Sequence, residues 1–209
     1  MSFHPKMAYD ATFHKSARRL EKAGPPFAFT AENRARLDEI IKRYPEDRRR
    51  SAVLPALYLV QAQQGYVTVN GMSHVADLLG ITRADVEDVV SYYSMFFTRP
   101  VGKFAVSVCR TLSCAVNGAE RVTEAICNRL GITPGQTDAS GTFTLLEVEC
   151  LGACDRAPVV MVNDAWHEGQ TPETVGNMLD DLRARGESAL TGCYHAIEGN
   201  TPAATRGNK

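Results

Sequence analysis

The sequence predicts an α+β chain in which an N-terminal helical bundle is followed by a domain built on a small sheet. Apolar residues recur with helical spacing through residues 30–98. The segment Arg99-Pro100-Val101-Gly102 then interrupts the chain, and alternation with a period of two begins after it. Residues 101–185 read as β-α-β-β-β-α, so the chain is predicted to have two domains.

Four helices are predicted in the first domain. Thr30 and Thr82 are suited to cap helices, and Asp85 three residues after Thr82 resembles a capping box. Gly65 and Gly80 are suited to end helices. The predicted helices cover residues 30–44, 51–64, 70–80 (opened by Asn70 or Ser73) and 82–93.

The second domain is predicted to contain four strands and two helices. The strands cover residues 104–109, 142–149, 158–162 and 165–168, and the helices cover residues 117–130 and 171–182. This order of elements is that of a thioredoxin-like layer. The first and second strands end at Cys109 and Cys150.

The two ends of the chain are predicted to lie outside the folded domains. Residues 1–29 have no continuous apolar run and contain the Gly24-Pro25-Pro26 break, so they are interpreted as a flexible arm. Residues 186–209 are rich in Gly, Thr, Ala and Asn without periodicity, which predicts a mobile tail.

Composition argues against several classes of partner. A formal net charge of −1 and a pI near 6.5 give no electrostatic reason to expect nucleic acid. The apolar stretch around residues 52–60 is far shorter than the ~20 residues of a membrane-spanning helix. Six cysteines without a secretory signal are typical of a reducing compartment, where thiols bind metals, act in catalysis or pack in a core.

Four of the cysteines form two widely spaced pairs. Cys109 and Cys114 make a C-x4-C pair, and Cys150 and Cys154 make a C-x3-C pair. If the two preceding strands are parallel neighbours, both loops leave the same rim of the sheet and the four thiols converge. Both spans are wider than the C-x2-C knuckles of structural zinc sites, which favours a [2Fe-2S] cluster over zinc.

The residues around these cysteines fit a cluster site. Gly152 and Ala153 are small enough for backbone amides to approach sulfur, and Leu112, Leu151 and Pro158 are expected to shield the site from water. A bound cluster would transfer single electrons, so no catalytic residue is predicted.

Other interpretations of the thiols remain open on spacing alone. They could bind zinc in an interaction module, form buried pairs or disulfides, or serve a thiol redox enzyme, although the compact C-x-x-C spacing is absent. Cys127 is interpreted as core packing and Cys193 as a bystander in the tail. Tyr92, Tyr93, Phe96 and Phe97 could form an aromatic patch that faces a partner, but at least half of them are expected to seal the bundle against the second domain.

Longer motifs carry a family resemblance over residues 31–182. They are "LPALYLVQAQQGYV" at 54–67, "YYSMF" at 92–96, "VCRTLSC" at 108–114 and "VECLGACDRAPVVMVND" at 148–164. With them the chain resembles the E subunit, the thioredoxin-like [2Fe-2S] ferredoxin subunit, of NADH:quinone oxidoreductase (respiratory complex I). It is similar also to the matching subunits of NAD-linked hydrogenases and formate dehydrogenases.

The resemblance implies a cofactor, a partner and a location. Its four cluster ligands match Cys109, Cys114, Cys150 and Cys154. It implies docking on a flavoprotein subunit that carries FMN, the NADH site and a [4Fe-4S] cluster, within a larger complex at the cytoplasmic, inner face of the plasma membrane, or on the mitochondrial matrix side. No G-x-G-x-x-G or P-loop pattern occurs in this chain, as expected if the nucleotide binds to the partner.

Overall fold

The computed structural model describes residues 24–190. The described chain divides between Pro100 and Val101 into two compact units, a helical bundle unit and a sheet unit. Within the described residues no helix is long and apolar enough to cross a bilayer. The α+β fold class predicted from the sequence is confirmed.

The described residues of the bundle unit form four α-helices and one 3-10 helix. They are α1 (Ala31–Ile41), a 3-10 helix (Glu46–Ala52), α2 (Val53–Gln64), α3 (Val69–Leu79) and α4 (Arg83–Tyr92). Their core is a single cluster of buried apolar side chains that includes Leu37, Leu57, Met72 and Phe96.

The helix termini follow capping chemistry. Thr30 caps α1 and Thr82 with Asp85 forms the predicted capping box of α4. The predicted start of α3 at Asn70 or Ser73 is wrong, because the hydroxyl of Thr68 accepts the amide of Gly71 and begins the helix earlier. Asn70 instead donates to the carbonyls of Gly24 and Pro25.

Glutamines at the end of α2 tie surrounding loops to the helix. The Gln61 side chain donates to the Met95 carbonyl over 2.9 Å and accepts the Phe97 amide over 2.7 Å. Gln63 accepts the amide of Thr30 and donates to the carbonyl of Ala28. The polar end of a helix thus satisfies backbone groups that have no partner in a ladder.

The sheet unit contains a four-stranded sheet in the order β2-β1-β3-β4. Its elements are β1 (Phe104–Cys109), α5 (Leu112–Val116), α6 (Ala119–Leu130), β2 (Phe143–Val148), β3 (Val160–Val162), β4 (Ala165–His167) and α7 (Pro172–Arg185). Strands β1 and β2 are parallel neighbours, whereas β3 and β4 pair antiparallel. A parallel pair requires a crossover, which α5 and α6 provide.

Strand β1 is the centre of the unit. All six of its residues are buried, although apolar and small side chains alternate along it. The alternation therefore does not mark a solvent face. The two faces differ in the size of the side chains they accept, as in other buried parallel strands.

The helix predicted over residues 117–130 is α6, and a separate short helix, α5, precedes it. Gly118 has a φ of 98°, a conformation that side-chain-bearing residues rarely adopt, and it separates α5 from α6. The first helix was missed because its large apolar residues, Leu112 and Val116, are 80% and 77% exposed and give no amphipathic pattern.

The predicted arm (1–29) and tail (186–209) lie mostly outside the described residues. Where they are described, Phe27 and Phe29 pack against the core of the bundle unit and contact the ring of His74. Residues Gly186–Ala189 form a 3-10 helix whose Ala189 is buried in the core of the sheet unit. The described residues with packed side chains therefore include parts of both predicted end segments.

Candidate iron–sulfur site

The parallel pairing of β1 and β2 sets the position of the site. Cys109, the last residue of β1, lies opposite Val148, the last residue of β2. Cys150 follows two residues later, so the loops after both strands leave the same rim of the sheet. The outer sides of the carboxyl ends of strands are the usual place for bound groups in open sheets.

The first loop holds its two thiols inside the protein. Cys109 is fixed by the ladder and by its amide, which donates to the Val159 carbonyl over 3.1 Å. Thr111 then opens α5, which carries Cys114 on its inner face. The side chains of Cys109 and Cys114 interact with each other, and both residues are 1% exposed.

The second loop presents its two thiols to solvent. Cys150 leaves β2, Gly152 takes a φ of 84°, and Cys154 begins a three-residue 3-10 helix. The Sγ atoms of Cys150 and Cys154 lie 3.5 Å apart, and the Gly152 amide donates to Cys150 Sγ over 3.4 Å. The loop is held from behind by the Trp166 indole, which donates to the Leu151 carbonyl over 3.2 Å.

The two pairs meet across the rim. Cys109 acts electrostatically on both Cys150 and Cys154, and Cys154 acts on Cys114. The Thr111 hydroxyl lies 3.3 Å from Cys109 Sγ and also bonds to the Cys150 thiol. The structure therefore brings together all four cysteines that were singled out from their spacing.

Hydrogen bonds bias one thiol of each pair toward the thiolate. Burial alone would raise the pKa of Cys109, but bonds from Thr111, the Leu151 amide and Cys114 lower it. The Gly152 amide is the main cause of a lowered pKa at Cys150. Burial raises the pKa of Cys114 to about 11, and the bond to Cys150 raises the pKa of Cys154. Thiolates are the form that binds metal.

The donor set fits an iron–sulfur cluster. It consists of sulfur alone, none of the four cysteines is in a disulfide, and backbone amides of Gly152, Leu151 and Val159 bond to its sulfurs, as outer-shell groups that tune such clusters do. In the described part of the chain, no three His, Cys, Asp or Glu side chains gather as they would around one ion. The thiols instead form two pairs.

Sequence reasoning missed one residue and misplaced another. Thr111 was not singled out, although its position between two of the cysteines was a usable signal. Leu112 was expected to shield the site, but its side chain points to solvent, while Leu151 and the buried Pro158 lie inward. Cys127 is half-buried against the sheet core, as predicted, and Cys193 lies outside the described residues.

The fold and the site together define an iron–sulfur protein on a thioredoxin-like sheet. The family model of the thioredoxin-like [2Fe-2S] ferredoxins matches residues 37–183. The chain belongs to that family, and its cofactor is a [2Fe-2S] cluster. The predicted family and cofactor are confirmed.

Curated relatives cover most of the chain. The E subunit of the NADH-quinone oxidoreductase of Mycobacterium tuberculosis (strain ATCC 25618 / H37Rv) is 42% identical over 80% of this chain and 68% of its own. The protein of the same name from Rickettsia bellii is 38% identical over 75% of this chain and 95% of its own.

A solved structure supports the fold. A chain of an NAD+-reducing [NiFe]-hydrogenase in the air-oxidised state matches with a TM-score of 0.57 at 14% identity, over 68% of this chain. The present chain spans about a quarter of that hydrogenase chain, since 25% of it is covered.

Proposed function

We propose that this chain is the electron-transfer subunit of an NADH:quinone oxidoreductase and that it exchanges single electrons with the FMN of a flavoprotein subunit. Its cluster ligands are Cys109, Cys114, Cys150 and Cys154. The observation that carries the proposal is the convergence of these four thiols from two loops at one rim of a parallel strand pair.

Two of the four cysteines are buried and two are exposed, so the cofactor would lie at the protein surface. Cys109 and Cys114 would hold it from inside the protein, at a strand end and on a helix, and Cys150 and Cys154 would hold it at the surface. When bound, the [2Fe-2S] cluster accepts and returns one electron. The Thr111 hydroxyl and the backbone amides stabilise negative charge on the sulfurs and so set the potential at which this occurs.

The surface beside the exposed thiols supports docking on another protein. Leu112 and Val116 lie one helical turn apart on α5, the helix that carries Cys114, and both are largely exposed. Exposed apolar side chains of this size next to a cofactor are typical of interaction surfaces. The proposed occupant is the flavoprotein subunit, which carries FMN, the NADH site and a [4Fe-4S] cluster.

The names of the relatives support a multi-subunit setting. Relatives are named as subunits of NADH-quinone oxidoreductase and as NADH dehydrogenase flavoprotein 2. The proposed location is the inner face of the plasma membrane, or the mitochondrial matrix side, where the chain is a peripheral part of the complex. The fold likeness to the hydrogenase supports a second candidate, the corresponding subunit of an NAD-linked hydrogenase. The sequence resemblance extends this candidate to NAD-linked formate dehydrogenases.

Substitution of single cysteines tests the ligand assignment. Each of Cys109→Ala, Cys114→Ala, Cys150→Ala and Cys154→Ala is expected to lower iron and acid-labile sulfide content and abolish the wild-type paramagnetic signal of the reduced protein. Cys127→Ala is the matched control, because Cys127 packs in the core away from the rim. A wild-type signal in any of the four variants, or zinc without sulfide in the purified protein, would contradict the proposal.

Isolation of the native assembly tests the partner. The chain is expected to co-purify with a flavin-containing subunit that oxidises NADH. Co-purification with hydrogenase or formate dehydrogenase subunits would favour the second candidate. A chain that carries a cluster but associates with no flavoprotein would contradict both.

A further inference from the structure

We propose that Cys150 and Cys154 form an intrachain disulfide when the cluster-free chain meets a hydroperoxide, and that this bond closes the site until it is reduced. Their Sγ atoms are 3.5 Å apart and both residues are exposed. The inference goes beyond the proposed function, because it concerns the chain before the cofactor is loaded and is independent of any partner.

The loop that carries this pair can make the required movement. A disulfide has an S–S length of about 2.05 Å, so the sulfurs must approach by roughly 1.5 Å. Cys150 lies beyond the end of β2, and Cys154 begins a 3-10 helix of three residues. Neither residue is part of a strand or an α-helix, so the closure breaks no ladder.

The other pair is protected from the same reaction. Cys109 and Cys114 are 1% exposed, which denies a dissolved oxidant access to their sulfurs. Cys109 is fixed in β1, and Cys114 is fixed in α5. The structure therefore contains one oxidisable pair and one protected pair within a single set of four thiols.

The reaction balances with a hydroperoxide as the oxidant. The thiolate of one cysteine attacks a peroxide oxygen, so that an S–O bond forms, the O–O bond breaks and hydroxide leaves. The second sulfur attacks the resulting sulfenic acid, so that the S–S bond forms and the S–O oxygen leaves as water. With hydrogen peroxide, two thiols lose two electrons and two protons, and two water molecules are produced.

Peptide mapping tests the bond itself. The full-length chain in a Cys193→Ser background, freed of iron with a chelator, is treated with hydrogen peroxide and alkylated without prior reduction. The expected product is a Cys150–Cys154 disulfide, with Cys109 and Cys114 alkylated after denaturation. Cys127→Ser is expected to give the same product, whereas Cys150→Ser is expected to leave a sulfenic acid at Cys154 that a dimedone probe labels.

Two mapping results would overturn the proposal. One is a Cys109–Cys114 disulfide as the main product. The other is four unmodified thiols after treatment, while circular dichroism reports a folded chain.

Binding of Co2+ tests closure of the site, with absorption by Co2+–thiolate bonds as the readout in thiol-free buffer. Oxidation is expected to lower Co2+ affinity by more than about 100-fold, above the 10–100-fold range for loss of an outer-shell partner. Reduction with a phosphine is expected to restore it. Equal Co2+ affinity before and after oxidation would overturn the claim that the disulfide closes the site. If peptide mapping finds no disulfide between Cys150 and Cys154, the proposed bond itself is overturned.

Discussion

At the scale of single residues, the site depends on hydrogen bonds that sequence reasoning could not assign. The four cysteines were predictable because their spacing and their position after two strands are visible in the sequence. Thr111 was not, since its contact with two sulfurs depends on how the first loop folds back over the second. The outward direction of Leu112 likewise follows from a turn that leaves no periodic signature.

Thr111→Val is expected to lower the midpoint potential of the cluster. The hydroxyl lies 3.3 Å from Cys109 Sγ and stabilises the additional negative charge of the reduced state, so its loss favours the oxidised state. If the hydroxyl stabilises the reduced state by about 1 kcal/mol more than the oxidised state, its loss lowers the midpoint potential by roughly 40 mV for one electron. A redox titration followed by electron paramagnetic resonance measures the change. Thr111→Ser keeps the hydroxyl, so its midpoint potential should stay near that of wild type. A wild-type midpoint potential in Thr111→Val would show that the contact does not tune the cluster.

Asp138→Asn is expected to destabilise the sheet unit in a pH-dependent way. Burial would raise the pKa of Asp138, but bonds from the amides of Phe143 and Thr142, the Ser140 hydroxyl and the charge of Arg183 hold it below its usual value. A lowered pKa in the folded state contributes stability that is present above the unfolded pKa and is lost as pH falls through the folded pKa. At neutral pH the substitution should lower the free energy of unfolding by about 1–3 kcal/mol.

Urea unfolding followed by Trp166 fluorescence measures this effect, because Trp166 is the only tryptophan and lies in the sheet unit. The difference between wild type and Asp138→Asn should shrink as pH falls below about 4. The exposed Asp77→Asn serves as control and should change stability by less than about 0.5 kcal/mol. If the difference in the free energy of unfolding does not change with pH, the ionised carboxylate of Asp138 is not its source.

At the scale of elements, helix ends that are set by capping residues were predictable, whereas features that depend on the surrounding fold were not. The capping box of α4, the glycine ends of α2 and α3 and the start of α7 at Pro172 follow from residue type alone. The division between α5 and α6 depends on Gly118, whose left-handed conformation is one of several open to glycine. The convergence of the four thiols was predicted on the condition that the two strands are parallel neighbours, and β1 and β2 meet that condition.

Gln61→Ala is expected to loosen the bundle unit. Its side chain is bonded at both ends to the backbone of the loop after α4, at Met95 and Phe97, so truncation leaves two backbone groups without this partner. The free energy of unfolding should fall by about 1–3 kcal/mol, measured by circular dichroism of the helices in urea. Ser91→Ala is a suitable control, because the Ser91 hydroxyl bonds only locally to the Asp88 carbonyl. Equal stability of the two variants would contradict the role given to Gln61.

At the scale of the whole molecule, the proposed assembly depends on one exposed helix. Leu112→Asp is expected to weaken binding to the flavoprotein subunit about tenfold or more, because it places a charge in the centre of the proposed contact. Calorimetric titration of the two loaded subunits measures the affinity. Iron and sulfide content should be unchanged, since the Leu112 side chain points away from the thiols.

Asn177→Asp adds the same charge on the exposed face of α7 and serves as the matched control for this variant. It should bind the flavoprotein subunit like wild type. Equal affinities of Leu112→Asp and Asn177→Asp would place the contact elsewhere on the chain.

The crossover between β1 and β2 has a consequence for biosynthesis. Cys114 and Cys150 are separated by 35 residues, which include the whole of α6 and β2. A nascent chain that has left the ribosome only as far as α6 offers an incomplete set of donors. The full set of four thiols therefore exists only after translation has passed Cys154 and β2 has paired with β1.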